Sequence, residues 1–194
     1  MKIEYPEGAT PLDPQEAKGL RLPHITTREE LNQWEQENIL QADLKYFSRK
    51  HRDILSVAFL LRLHKQMFGN VWKWAGKFRT TDKNIGVAHW DVPVKVKELC
   101  EDAKVWIKSA TDPGDEIATR FHHKLVFIHP FANGNGRHAR MMTDLLLINL
   151  LGKPRFTWGR NNLINPGETR TRYIQALRAA DGRDYADLSK FVRS

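Results

Sequence analysis

The chain contains a single cysteine, Cys100, in 194 residues, so no internal disulfide can form and a reducing compartment is expected. Long apolar runs are also lacking. The longest, Leu145-Leu146-Leu147-Ile148, is broken at Asn149 and ends at Leu151 before Gly152, too short to span a membrane. Met1-Lys2-Ile3-Glu4-Tyr5-Pro6 has no apolar signal-peptide core, and together these absences predict a cytoplasmic protein with no membrane partner. There is no internal repeat, low-complexity linker, zinc knuckle or aromatic-interleaved RNA-binding motif. Lys and Arg number 31 against 23 Asp and Glu, a formal charge of +8. These basic residues are spread along the chain, so the charge suits ATP, an acidic protein target or solubility as well as nucleic acid.

What is present fits one globular domain. Hydrophobic residues make up 41% and charged residues 28%, enough for a substantial core. Pro6, Pro11, Pro14 and Pro23 interrupt residues 1–25, which read as an extended arm. Thr26 with Glu29, or Thr27 with Glu30, forms a capping box, and a helix over about 27–40 follows. Ser48 is the candidate N-cap of a second helix over 48–67 that Gly69 closes. Turn residues and short β-prone pieces between Arg79 and Asp91 predict a hairpin. Further helices are expected over 93–110, 115–128 and 185–192, and another follows Asn165-Pro166-Gly167-Glu168 and ends at Ala179-Ala180-Asp181-Gly182. Met141 to Leu151 is nearly all apolar, as a helix surrounded by others must be. His122 and His123 are adjacent on a helix, where neighbouring side chains point about 100° apart. They are therefore read as hydrogen-bonding supports and not as a chelate with His129.

The densest chemistry lies in His129-Pro130-Phe131-Ala132-Asn133-Gly134-Asn135-Gly136-Arg137-His138-Ala139-Arg140. Twelve residues carry a base, two glycines, two amides and two arginines, just before the apolar run. A residue preceding proline is biased away from the helical region, so His129 is expected on a turn where a helix stops. Gly134 and Gly136 let backbone N–H groups converge. A helix starting near Arg137 would direct its amides and positive dipole end at the same point. Arg137 and Arg140, three apart, share a face of that helix. An amide nest with two guanidiniums points to a polyphosphate, and His129 is a base with an ordinary pKa near neutrality beside it.

This run resembles the signature of the Fic family, His-Pro-Phe-x-(Asp/Glu)-Gly-Asn-Gly-Arg-x-x-Arg. Every fixed position matches except 133, where Asn133 replaces an acid. Within the family the chain is most similar to the subgroup called mobile mystery protein B. The resemblance implies an all-α fold, a single helical domain over 26–194 with a small β-hairpin flap at 79–91 that holds a target segment by strand addition. It implies a protein adenylyltransferase that moves AMP from ATP to a Ser, Thr or Tyr hydroxyl of a protein substrate, self-modification included. His129 would be the general base, and the backbone at Gly134, Asn135 and Gly136 with Arg137 would stabilise developing charge. Arg140 would hold the γ-phosphate, Tyr173 and Asp181 would lie near adenine, and position 133 would ligate Mg²⁺, or Mn²⁺ in its place. Many Fic proteins also carry an inhibitory helix, (Ser/Thr)-x-x-x-Glu-(Gly/Asn). Gln33-Trp34-Glu35-Gln36-Glu37-Asn38 matches its Glu-Asn end and departs at Gln33. That match makes Glu37 the candidate inhibitor opposite Arg140, with Glu35 the rival.

Asn133 opens the alternatives, because a neutral amide oxygen is a weaker ligand for a hard cation than a carboxylate. Slower AMP transfer, a different donor or metal, and nucleotide binding without catalysis all follow from it; weakened but retained AMP transfer is the expectation. A non-catalytic nucleotide- or nucleic-acid-binding regulator, a kinase and a Fic-type transferase with another donor are the competing functions, with nucleic acid the less expected partner.

Overall fold

The computed structural model describes residues 11, 13–109, 113–160, 163 and 167–194. Among them the architecture is all-α: α1 (Pro14–Ala17), α2 (Arg28–Phe47), α3 (Val57–Phe68), α4 (Val92–Ser109), α5 (Gly114–Ile128), α6 (Asn135–Leu146), α7 (Glu168–Asp181) and α8 (Ala186–Arg193). Pro6 and the turn residues Thr111, Asp112, Asn165 and Pro166 fall outside the described residues.

The Thr27 capping box starts α2: Thr27 Oγ1 accepts from the Glu30 N–H at 3.2 Å and Glu30 Oε2 accepts from the Thr27 N–H at 3.1 Å. The helix runs seven residues beyond the expected Leu40, because Leu31, Glu35, Asn38, Ala42 and Tyr46 form one buried stripe along it. Ser48 is consequently the C-cap of α2 and not the N-cap of the next helix. That cap belongs to Ser56, whose Oγ accepts from the Phe59 N–H at 3.1 Å.

At the centre lies α6, with Ala139, Met142, Leu145 and Leu146 fully buried. It is packed against α3 on one side and α5 on the other. Each Leu or Phe wholly removed from water here contributes roughly 1.5–3 kcal/mol. A smaller apolar cluster joins α5, α7 and α8 through Ala118, Tyr173, Ala176, Leu188 and Phe191. Asp144 connects the two layers, accepting from Arg155 Nε at 3.1 Å, Trp158 Nε1 at 3.1 Å and the Phe156 N–H at 3.2 Å. A helical turn over Leu147–Leu151 then ends at left-handed Gly152, as the sequence predicts.

Two further expectations are corrected. Within its described part, residues 11 and 13–25, the N-terminal segment is not wholly extended, since Asp13 caps the single turn of α1 and residues 19–21 pair with 71–73 through Arg21 N–H to Val71 O and Lys73 N–H to Gly19 O, both 2.8 Å. The hairpin over 79–91 is not present either: no strand occurs among the described residues, and this segment is a series of turns ending in a 3-10 turn at His89–Asp91. The physical reason is Arg79, whose buried guanidinium donates to the carbonyls of His129 (2.7 Å), Thr81 (2.9 Å) and Val87. One side chain thereby holds the loop closed where a backbone ladder would otherwise do so.

Candidate functional site

The site begins where α5 stops. His129 is the C-cap, in the left-handed region at φ 54° and ψ 60°, with its N–H donating to Leu125 O at 3.3 Å. A non-glycine residue in that region is strained by about 1 kcal/mol or more, and its surroundings impose it. Arg79 takes the His129 carbonyl, and the Arg79 N–H donates to Pro130 O at 3.0 Å. The loop passes over the histidine at Gly86, φ 103°, where a Cβ would come within 2.7 Å of His129 Cβ. His129 is only 6% exposed. Burial, reinforced by the nearby Arg79 and Lys83 charges, lowers its pKa to about 4, so at neutral pH the ring is uncharged and able to accept a proton.

The turn from His129 into α6 is held by its own side chains. Asn135 Oδ1 accepts from the Phe131 N–H at 2.9 Å and its Nδ2 donates to Phe131 O at 2.8 Å. Buried His64 donates from Nε2 to Asn133 O at 3.2 Å, accepts from the Gly76 N–H at 3.0 Å on Nδ1, and stacks on Phe131 with centroids 3.6 Å apart. Gly134, φ 77°, packs so closely that a Cβ would lie 2.5 Å from Phe68 Cζ. The first-turn N–H groups of α6 at Asn135, Gly136 and Arg137 have no carbonyl a turn earlier to receive them. With the positive end of the helix dipole they face the point at which the sequence leads one to expect an anion.

The two arginines are held differently. Arg137 Nη1 donates to Glu35 Oε2 at 2.6 Å, its Nη2 lies 3.5 Å from Asn133 Oδ1, and its guanidinium sits 4.9 Å over the Phe68 ring. Glu35 itself is 5% exposed and accepts from Trp72 Nε1 at 2.6 Å. Arg140 lies 5.8 Å from the Tyr173 ring centroid and donates to the Tyr173 hydroxyl, which in turn donates to His122 Nε2 at 2.8 Å. Burial lowers the Arg140 pKa while the phenol oxygen opposes that shift. Tyr173 thus positions Arg140 as well as lining the site.

All of His129, Asn133, Gly134, Asn135, Gly136, Arg137, Arg140, Tyr173 and Asp181 border one cavity of about 380 Å³. Its α7 wall is apolar at Ile174 and Leu177, and Asp181 at the helix end accepts from His123 Nε2 at 2.8 Å. His122 and His123 are therefore supports, as the sequence suggests. Glu37 is the exception. It lies on the exposed face of α2, accepting from Gln41 Nε2 at 3.0 Å, and the acid that reaches the motif is Glu35, which meets Arg137 and not Arg140. Two residues along a helix turn a side chain by about 200°, so both could not face inward.

Sequence reasoning missed Arg79, Arg28 and Arg170. Arg28, Asn32 and Glu35 stand four and three apart, a spacing visible in the sequence. Which face of α2 turns inward is decided by packing.

Position 133, through which the resemblance implies Mg²⁺ or Mn²⁺, does not fit a resident divalent ion. Asn133 Oδ1 is a single neutral oxygen, already accepting from the Gly134 N–H at 2.7 Å and facing the Arg137 guanidinium. A cation there would meet the positive end of α6 and an arginine together. Among the described residues no group of three His, Cys, Asp or Glu side chains is arranged to hold a metal.

The chain is thus an all-α domain that presents a glycine-rich turn, a buried neutral histidine and two arginines around a helix N-terminus. Residues 54–147 match the Fic/DOC family, and the chain carries a Fic/DOC family domain. It is 34% identical to protein adenylyltransferase fic-1 of Caenorhabditis briggsae over 151 residues, 75% of this chain and 27% of that protein. The chain thus spans about a quarter of that relative's length. Among solved structures it is similar to Fic-1 of C. elegans (residues 134–508), at TM-score 0.63 and 27% identity over 91% of this chain and 50% of that one. It also shares its fold with BepC of Bartonella tribocorum, solved with AMPPNP, at TM-score 0.70 and 16% identity over 93% and 97% of the two chains.

Proposed function

We propose that the protein is an adenylyltransferase that moves AMP from ATP to a hydroxyl side chain of a protein, its own chain included. The observation that carries this is the seating of one buried neutral base, His129, beside the α6 N-terminus and two arginines in a single cavity. The names of the relatives support the same activity. In the step, the oxygen of a Ser, Thr or Tyr hydroxyl attacks the α-phosphorus. An O–P bond forms, the bond to the bridging α–β oxygen breaks, and pyrophosphate departs with that oxygen's electron pair. His129 takes the hydroxyl proton. The amides of Asn135 and Gly136 and the Arg137 guanidinium stabilise the charge on the transferring phosphoryl group. Arg140, fixed by Tyr173, meets the terminal phosphate, and the apolar stripe of α7 with Asp181 at its end receives the adenine.

Glu35 is the brake in this scheme. While it holds Arg137 from α2, that guanidinium is engaged away from the nucleotide, and release of the pair switches the domain on. The subgroup named mobile mystery protein B rests on the sequence resemblance alone. No helix among the described residues is long and apolar enough to cross a membrane.

The test is incubation of the purified protein with labelled ATP and Mg²⁺ or Mn²⁺. Label in the protein that is lost in His129→Ala supports the transferase. Persistent label in that variant overturns the role of His129, and absence of label with any protein or donor leaves a nucleotide-binding module.

A further inference from the structure

The cavity holds more positive charge than the motif supplies. Beside Arg137, which Glu35 holds, and Arg140 of α6, it is lined by Arg28 of α2 and by Arg170 and Arg178 of α7, with Asp181 the one lining carboxylate among the described residues. The placement follows from helix geometry. Arg28 lies two turns before Glu35 on the inward face of α2, and its Nε donates to Asn32 Oδ1 at 3.3 Å. Arg170 lies one turn before Tyr173, the residue that holds Arg140, and its Nη1 donates to Leu163 O at 2.6 Å. These contacts orient the two side chains at the cavity.

Their mutual proximity has an electrostatic signature. Burial lowers the Arg170 pKa, and repulsion from Arg140, then from Arg137 and Arg28, lowers it further. Several guanidiniums lining one cavity can together grip a polyphosphate, each giving charge-assisted hydrogen bonds to its oxygens. A metal-chelated polyphosphate brings two fewer negative charges than a free one. The position from which a divalent ion would be anchored instead carries Asn133, its oxygen turned to an N–H and a guanidinium.

We propose that Arg28 and Arg170 are phosphate ligands of this cavity and that, with Arg140, they neutralise the terminal phosphates of a nucleotide in place of a protein-held divalent ion. Nucleotide binding then proceeds without metal, and affinity rises with the number of phosphates. This rests on the proposal that the cavity binds a nucleotide, and the acceptor, the base and the transfer chemistry are independent of it.

The experiment is titration calorimetry of the full chain with ATP, ADP and AMP, in EDTA and in Mg²⁺. Wild type should bind ATP in EDTA within about threefold of its affinity in Mg²⁺. Arg28→Gln and Arg170→Gln should each weaken ATP binding by about tenfold, the loss of one charge-assisted contact, and AMP binding by less than about threefold on the same scale. Arg170→Lys, which keeps the charge, should recover most of the ATP affinity. Each variant is checked by thermal melting, so a general loss of fold, which would weaken AMP and ATP alike, is told apart from loss of a phosphate contact. ATP binding that requires Mg²⁺, or glutamine variants that bind ATP like wild type, overturns this inference and leaves the nucleotide site standing. A wild-type protein that binds neither ATP nor ADP under either condition overturns the nucleotide site itself.

Discussion

Glu35 and Arg137 form an ion pair of 2.6 Å between α2 and the first turn of α6, with the carboxylate side chain 6% and the guanidinium 18% exposed. Two charges taken this far from water recover little net stability from their attraction, so the pair is poorly explained as a structural prop. It is well explained as a contact that can be traded, because the same guanidinium borders the proposed nucleotide cavity. Trp72 Nε1 holds the other carboxylate oxygen at 2.6 Å, which keeps Glu35 aimed at Arg137 and at no other arginine.

Removing the charge while keeping the Trp72 acceptor should release the brake. Glu35→Gln is expected to raise the initial rate of self-modification by about tenfold, the equivalent of one charge-assisted contact. Glu37→Gly should leave the rate unchanged, because its side chain bonds only outward to Gln41 among the contacts described. Incorporation of labelled AMP over time measures both, and a gain confined to Glu37→Gly would return the inhibitory role to that residue.

His129→Ala should lower AMP transfer by about 10²–10⁴-fold, the usual contribution of a positioned base, with ATP affinity little altered. Because the folded-state pKa of His129 lies at about 4, the base stays deprotonated well below neutrality. The acid limb of kcat/KM is therefore expected near pH 4, after correction for unfolding. A limb near 6.5 would place the ring in water and not under the Gly86 loop.

Stability should fall steeply in mild acid. His64, His122, His129 and His138 are all buried, and burial depresses each pKa, to about 3 for His122 and His138. Their unfolded values lie near 6.5, so below that pH the unfolded chain binds protons that the folded chain refuses. The stabilisation is complete above about pH 6.5 and is lost as the pH falls through that value toward the folded pKa. Four such groups amount to about 4 kcal/mol between pH 6.5 and 5.5, to be read from urea unfolding at the two pH values. A loss under about 1 kcal/mol would mean that the rings ionise in place.

Arg79 should matter to catalysis without touching the reactants. Arg79→Ala leaves the His129, Thr81 and Val87 carbonyls without their guanidinium donor, at a cost of about 1–3 kcal/mol for each that stays buried. Limited proteolysis should then cut faster between residues 80 and 88. Transfer should slow through kcat while KM for ATP holds, because the residue positions His129 and not the phosphates. Equal proteolysis rates in variant and wild type would show that the loop is held by something else.

The helices were largely legible because their signals are local. Thr27 with Glu30, Gly69, Gly152 and the apolar spacing of α3 to α8 act within a turn or two of themselves. Ser48 misled because a serine caps either end of a helix according to what packs beside it, and the buried stripe through Ala42 and Tyr46 carried α2 past it. The expected hairpin at 79–91 failed for a related reason: β-prone residues without a partner strand need something else to satisfy their carbonyls, and Arg79 does so from inside the loop.

By itself the sequence determined the turn from His129 into the helix that carries Arg137 and Arg140, since proline, glycine and helix-start rules constrain backbone whatever lies nearby. It also determined that Asn133 brings no negative charge. Only the tertiary structure decided which acid opposes the motif and which distant arginines join it. Glu35 and Glu37 are two residues apart on one helix and differ only in the face they occupy. Arg28 and Arg170 are separated by most of the chain and share a cavity only because α2 packs beside α6 while α7 packs beside α5. Rotation about a helix axis and proximity across a core are set by long-range packing, and no local pattern encodes them.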